Sequence, residues 1–140
     1  MNTFLPYRDF VRSARCLDDR RLGKQRLEAL IILRVLNGEL NGWRNHPAVK
    51  MWNGYTEALV EYGCVVCDEW VQRGFTDNLK AKIRTYSWGG EVVIPHWLTP
   101  AFCKAHRSNL VRKNPEHYRK LFPNVPENIP YIWGKGLDHA

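Results

Sequence analysis

Ala48, Trp52, Tyr55, Leu59, Tyr62, Val66 and Trp70 recur at spacings of three and four residues. Residues so spaced share one face of an α-helix, so this run predicts a long amphipathic helix over about residues 48–72. A stripe that wide needs a partner. Leu22, Leu30 and Leu33, beside a second row of Leu27, Ile31 and Arg34, supply one. They lie within a helical pattern from about Arg8 to Leu36, where Asp18 or Asp19 can cap a new turn. "NGELNGWRNHP" separates the two helices with Gly38, Gly42 and Pro47, and "RGF" closes the second at Gly74. A third helix is predicted from about Pro100 to Val111, with a short fourth in "NPEHYRKLF". Strand signal is nearly absent: "SWGGEVVIPHWLTP" reads as a loop with at most a short extended piece at Val92 to Ile94. The apolar "MNTFLPY" is expected to lie extended against the body, and the proline-rich "PNVPENIPYIWGKG" to wrap the surface without regular structure. At 140 residues the expectation is all-α. It is a single compact domain spanning residues 1–140, with about three main helices and long irregular connections.

Charge narrows the class of partner. The net charge is +7, and it is unevenly spread. Residues 1–50 hold ten Lys and Arg against five Asp and Glu, and residues 101–140 hold seven against three. The middle is mildly acidic. If both ends fold together they make a one-sided basic face suited to a polyanion, of which nucleic acid is the commonest. No apolar run approaches the ~20 residues of a membrane span and no signal-peptide pattern opens the chain, so no membrane partner and a cytoplasmic location are expected. Four cysteines then read as thiols. Cys64 and Cys67 of "CVVC" sit inside the amphipathic helix without a second pair, which is core chemistry rather than a zinc site. No Gly-rich phosphate loop, H-E-x-x-H or nucleophile elbow is present, and no cofactor or metal is expected.

Three stretches can carry chemistry. In "DDRRLGKQRLEALIIL", Arg21, Lys24, Gln25 and Glu28 fall at i, i+3, i+4 and i+7 on one helix face. Such pairs on a solvated surface contribute only a few tenths of a kcal/mol. A carboxylate among cations is of no use for binding phosphate, however. Glu28 makes sense there if it stabilises positive charge or moves protons, and nearby positive charge would keep it ionised. In "KAHRSNLVRKNPEHYRK", Ser108 and Asn109 add neutral donors beside Arg107, Arg112 and Lys113, a mixture that suits phosphate oxygens. His106, His117 and Tyr118 could stack or donate there. In "GWRNHPAVKMW", His46 could donate to a phosphate, act as an acid, or simply cap the second helix.

Together these motifs resemble the pyrimidine-dimer DNA glycosylase/AP-lyase family, the bacteriophage endonuclease V type, and its bacterial branch. "LDDRRLGKQRLEAL" resembles the first-helix segment ending in the family's catalytic glutamate, which maps to Glu28. "AVKMWNGYTEALVEYGCVVCDEWVQRGF" resembles its long second helix, and "AHRSNLVRKNPEHYRKLF" its C-terminal helix and the basic, aromatic segment after it. The resemblance implies a Schiff base between an N-terminal α-amine and C1′ of the damaged nucleotide, with the glutamate assisting β-elimination. An α-amine of pKa about 7.7–8 is roughly a quarter to a third unprotonated near pH 7.5, against ~0.1% for an ordinary lysine, which explains the choice. The phage members carry Thr after the initiator Met. Here Asn follows, a side chain that leaves Met in place, so the amine is that of Met1, or of Asn2 if Met1 is removed. Lys24, one turn before Glu28, is a substitute amine if Arg20, Arg21 and Arg26 depress its pKa. Arg21 stands where the family has a histidine.

The expectation is a monomeric DNA-repair glycosylase, with AP-lyase activity as a further step, that extrudes a damaged or modified pyrimidine from duplex DNA. Met1, Asn2, Lys24 and Glu28 are its candidate catalytic residues. Arg15, Arg20, Arg21, Gln25, Arg26, His46, Arg107, Ser108, Asn109, Arg112 and Lys113 are its candidate DNA contacts. The rivals are a non-catalytic nucleic-acid-binding module on the same fold and an N-glycosidase for another nucleoside. If about five phosphates are neutralised, log K for duplex DNA falls against log salt with a slope of about −4 to −5. A filter-binding titration across salt checks this, and a slope near zero contradicts the polyanion reading.

Overall fold

The computed structural model describes residues 1–134, which form seven helices and no strand. In chain order these are α1 (Phe10–Cys16), α2 (Asp19–Leu36), α3 (Pro47–Trp52), α4 (Thr56–Gln72), α5 (Lys80–Arg84), α6 (Pro100–Lys113) and α7 (Pro115–Tyr118). The chain is all-α, as the periodicity requires. Lys135 and Gly136, the end of the expected proline-rich wrap, lie outside the described residues.

Two of the three predicted main helices are each broken once, for a local reason, and the third is continuous as α6. The Arg8–Leu36 pattern divides where Leu17 turns extended and Asp18 caps α2, accepting from the Arg21 backbone N–H. Tyr118 secures this corner from α7: its hydroxyl hydrogen-bonds the Asp18 carboxylate and accepts from the Asp18 N–H at 2.9 Å. The 48–72 pattern divides at Asn53–Tyr55, where Gly54 takes a φ of +89°, a conformation that favours glycine. The stripe nonetheless stays on the inner side of both pieces, with Ala48, Trp52, Leu59, Tyr62 and Val66 buried. Leu27 departs from its expected row and is half exposed on α2. The short helix α5 has no counterpart in the predicted elements, and Val92 to Ile94 form no strand.

The core sits between α2 and α4, with α1, α3 and α5 packed around them. Gly63 permits the close approach of three elements. A Cβ there would stand 3.2 Å from Ala29 Cβ on α2 and 3.1 Å from Ile83 Cγ2 on α5. Cys64 and Cys67 pack in this core as free thiols, and burial raises both above the usual thiol range. No helix of the described residues is long and apolar enough to cross a membrane.

The N-terminal segment is extended, as expected, but it runs through the core rather than over it. Thr3, Phe4, Leu5 and Pro6 are buried. Buried backbone groups need partners, and here side chains of three different helices supply them, while a fourth helix holds the Thr3 hydroxyl. Gln25 Oε1 accepts from the Phe4 N–H at 2.8 Å, and Gln25 Nε2 donates to the Asn2 carbonyl at 3.0 Å. The Tyr62 hydroxyl sits 2.5 Å from Gln25 Oε1 and 3.0 Å from the Phe4 carbonyl. Trp52 Nε1 donates to Thr3 Oγ1, and His106 Nδ1 accepts from the Leu5 N–H, each at 3.0 Å. Gln25→Leu keeps volume but leaves the Phe4 N–H and the Asn2 carbonyl without partners, which costs about 1–3 kcal/mol for each buried orphan. Urea unfolding is expected to show that loss, with faster hydrogen exchange at Phe4. An unchanged midpoint would mean the segment is not anchored by Gln25.

Candidate active site

An open cavity of about 420 Å³ lies where the N-terminal segment meets α2. Its wall includes Met1, Asn2 and Phe4 from the terminus, and Arg20, Arg21, Lys24, Gln25 and Glu28 from α2. His46 comes from the start of α3, Lys113 from the end of α6, and Tyr131 and Trp133 from the C-terminal segment. The volume suits a nucleobase-sized ligand, since small-molecule sites run from about 300 to 1,000 Å³.

Helical spacing explains the α2 contribution. With 3.6 residues per turn, Arg21, Lys24, Gln25 and Glu28 rise along one edge of the helix. Gln25 turns inward, 2% exposed, and its bonding capacity is spent on the terminal segment. Arg20 and Lys24 remain exposed, whereas Arg21 is 3.2 Å from the Asp18 carboxylate. The pairing of Arg21 with Gln25 on a solvated surface therefore gives way to an Arg21–Asp18 pair at the helix start.

Among the described residues, Glu28 is the one acidic residue in this wall. Two opposing effects act on its carboxyl. Partial burial disfavours the charged form and raises its pKa above the ordinary 4.5. The α-amine of Met1 and the Lys24 ammonium pull it back, in that order, and burial wins. The neighbouring cations favour the ionised form, but they oppose a desolvation they do not overcome. The same amine acts on His46, whose pKa is lowered chiefly by burial and secondarily by that charge. Met1, Glu28 and His46 thus share one electrostatic neighbourhood.

The remaining candidates lie elsewhere. Ser108 and Asn109 are fully buried. Ser108 Oγ accepts from the Ile129 N–H at 2.9 Å, and Asn109 Nδ2 donates to the Ala105 and Ile129 carbonyls at 2.7 and 3.0 Å. Both hold the C-terminal segment against α6 and are buried away from an approaching phosphate. Arg112 is tied to that same segment through the Glu127 carbonyl at 2.9 Å. Arg107 donates to the Pro6 carbonyl at 2.7 Å. Arg26 pairs with Asp77 at 2.5 Å and lies over the Trp70 ring, away from the cavity. Arg15 is exposed on α1, beside a separate groove against α4. His106 and Tyr118 are core groups rather than stacking platforms, and burial lowers the His106 pKa to about 3.

The aromatic side of the wall was not identified as a site from sequence. Tyr131 and Trp133 belong to the stretch expected only to wrap the surface. Trp43 does not line the cavity but stands behind His46: it is 56% exposed, has a φ of +70°, and meets the His46 ring edge-on at 5.8 Å. The one available signal was the density of aromatics flanking prolines in "NIPYIW" and of Trp43 beside His46.

A family model described as pyrimidine dimer DNA glycosylase matches residues 1–83, and the chain belongs to that family. The match takes in the terminal segment, α2, α3 and α4, and so most of the cavity wall. Membership brings DNA repair by glycosylase chemistry as the class of activity. No curated protein and no solved structure matches the chain.

The Glu28 balance has a consequence for stability. Folding raises its pKa, so the ionised carboxylate carries a penalty that is present above the folded pKa and absent below the unfolded value of about 4.5. Glu28→Gln is therefore expected to raise the melting temperature at pH 7, with the gain disappearing as pH falls to 4. Thermal unfolding across pH checks this. A lower melting temperature for the variant at pH 7 would show that the carboxylate is net stabilising.

Proposed function

We propose that the chain excises a damaged or modified pyrimidine from duplex DNA and then cleaves the abasic site through an imine on the Met1 α-amine. The observation that carries this reading is the meeting of that amine with Glu28 in one cationic cavity, each within the other's field. The buried Thr3–Pro6 segment supports it, because an amine held by an anchored strand is positioned before substrate arrives.

The chemistry follows from the geometry. C1′ is blocked inside a stacked duplex, so the nucleotide is extruded into the cavity. Arg20, Lys24 and Lys113, exposed around it, contact backbone phosphates. The neutral amine attacks C1′. The C1′–N bond to the base breaks and its electron pair leaves with the base. The amine sheds one proton. The C1′–O4′ bond then breaks, O4′ takes up a proton, and the nitrogen lone pair forms the C=N bond of the cationic imine. Glu28, half-buried with a raised pKa, accepts a proton more readily than an ordinary carboxylate and stabilises the cation when ionised. Loss of a C2′ proton then expels the 3′ phosphate. Lys24 lies close enough to act on Glu28 but is exposed, which favours the terminal amine as nucleophile.

Borohydride reduction on abasic-site DNA is expected to trap a covalent adduct whose mass spectrum places the sugar remnant on the N-terminal peptide, at Met1 or, after Met removal, Asn2. Glu28→Gln should lose base excision by at least about 10²-fold, within the usual range for a general acid–base group, with DNA affinity unchanged or tighter. An adduct on Lys24 would move the nucleophile. Base release without any adduct would make water the nucleophile. Neither adduct nor base release on dimer, abasic and modified-pyrimidine DNA would favour the binding module.

A further inference from the structure

His46 has one ring nitrogen whose role is fixed. Nδ1 accepts a hydrogen bond from the Ala48 N–H at 3.0 Å and so caps α3. A nitrogen that accepts carries no proton, so the neutral ring carries its proton on Nε2. The ring is also held in place. Trp43 and Trp133 meet it edge-on, with centroids at 5.8 and 6.1 Å. Burial and the charge of the Met1 amine both work against a second proton, which keeps the ring neutral. Among the described residues no side chain or carbonyl accepts from Nε2, and the residue lines the same cavity as Met1 and Glu28.

We propose that His46 Nε2–H is a further catalytic group, the hydrogen-bond donor to the departing pyrimidine. This rests on the glycosylase reading of the cavity. When the C1′–N1 bond breaks, its electron pair passes to the base and spreads onto the O2 carbonyl. A fixed donor at that oxygen binds the developing charge more tightly than the uncharged base, and so lowers the barrier. The proton stays on Nε2, because a neutral imidazole donates a hydrogen bond here without transferring it. The amine nitrogen makes the new bond to C1′, so no outside oxidant or reductant enters. Labour is thereby divided across the cavity: Glu28 serves the sugar and the amine, and His46 serves the leaving base.

That division is testable, because an abasic site has no base left to expel. His46→Asn keeps an oxygen acceptor for the Ala48 N–H, and asparagine is among the best helix caps, so α3 is preserved. The variant and the wild-type chain are compared on one duplex carrying a pyrimidine dimer and on the same duplex carrying a preformed abasic site. Base release is expected to fall about 10²-fold, the cost of losing one preorganised donor, while abasic-site cleavage and its borohydride adduct fall at most a few-fold. Melting temperature, read alongside, shows that the fold is intact. Equal losses on both substrates would overturn the proposal and make His46 a positioning residue for the terminus. Undiminished base release would leave it only the cap of α3. If the wild-type chain acts on neither duplex, the glycosylase reading itself fails, and this inference with it.

Discussion

The Gln25 side chain is the pivot of this structure. It takes the Phe4 N–H and the Asn2 carbonyl, and shares its oxygen with the Tyr62 hydroxyl. A strand running through a helical core has no ladder to satisfy its backbone, so each buried amide it brings would cost about 1–3 kcal/mol if left unpaired. Gln25 from α2, Tyr62 from α4 and His106 from α6 remove that cost together, and Trp52 from α3 adds a hold on the Thr3 hydroxyl. Their joint effect is to fix Met1 in the same cavity as Glu28, which lies one helical turn beyond Gln25, with the amine's charge acting on that carboxyl. The device that holds the terminus and the face that carries the carboxylate are therefore the same stretch of α2.

Electrostatics then sets what that arrangement can do. Arg20, Arg21, Lys24, Lys113 and the terminal amine share the cavity wall with Glu28, and a cavity of that sign draws in a phosphodiester backbone. Coulombic attraction alone would leave Glu28 a strong anion of little use in proton transfer. Partial burial outweighs it and lifts the carboxyl toward the range where it can both accept and release a proton. A group tuned that way is held at some cost to the fold, as is common where function and stability compete.

Helical periodicity made α2 and α4 legible, because Leu22, Leu30, Leu33, Leu59, Tyr62 and Val66 repeat over several turns. The breaks at Leu17–Asp18 and Asn53–Tyr55 were harder to see, since apolar spacing continues across both and only the caps interrupt it. Glu28 stood out as an acid among cations, and Lys24 and Arg20 by their place beside it. Ser108 and Asn109, expected as donors to phosphate, are buried for a physical reason. A polar residue on a helix can face solvent or bind a neighbouring carbonyl, and composition does not separate the two. Here the C-terminal segment, whose path no local pattern encodes, folds onto α6: the Ile129 N–H donates to Ser108, and the Ile129 and Glu127 carbonyls accept from Asn109 and Arg112. The same long-range path brings Tyr131 and Trp133 to the cavity.

The central claim is that the Met1 amine and Glu28 share one electrostatic site, and its most direct test is a titration of the Glu28 carboxyl carbon by NMR. The protein is compared with its free terminus and after α-acetylation, which removes that charge and leaves Lys24 in place. The account predicts that acetylation moves the Glu28 midpoint upward, further from 4.5, because the positive charge that had been lowering it is gone. A midpoint that does not move would place the amine outside the site and contradict the account.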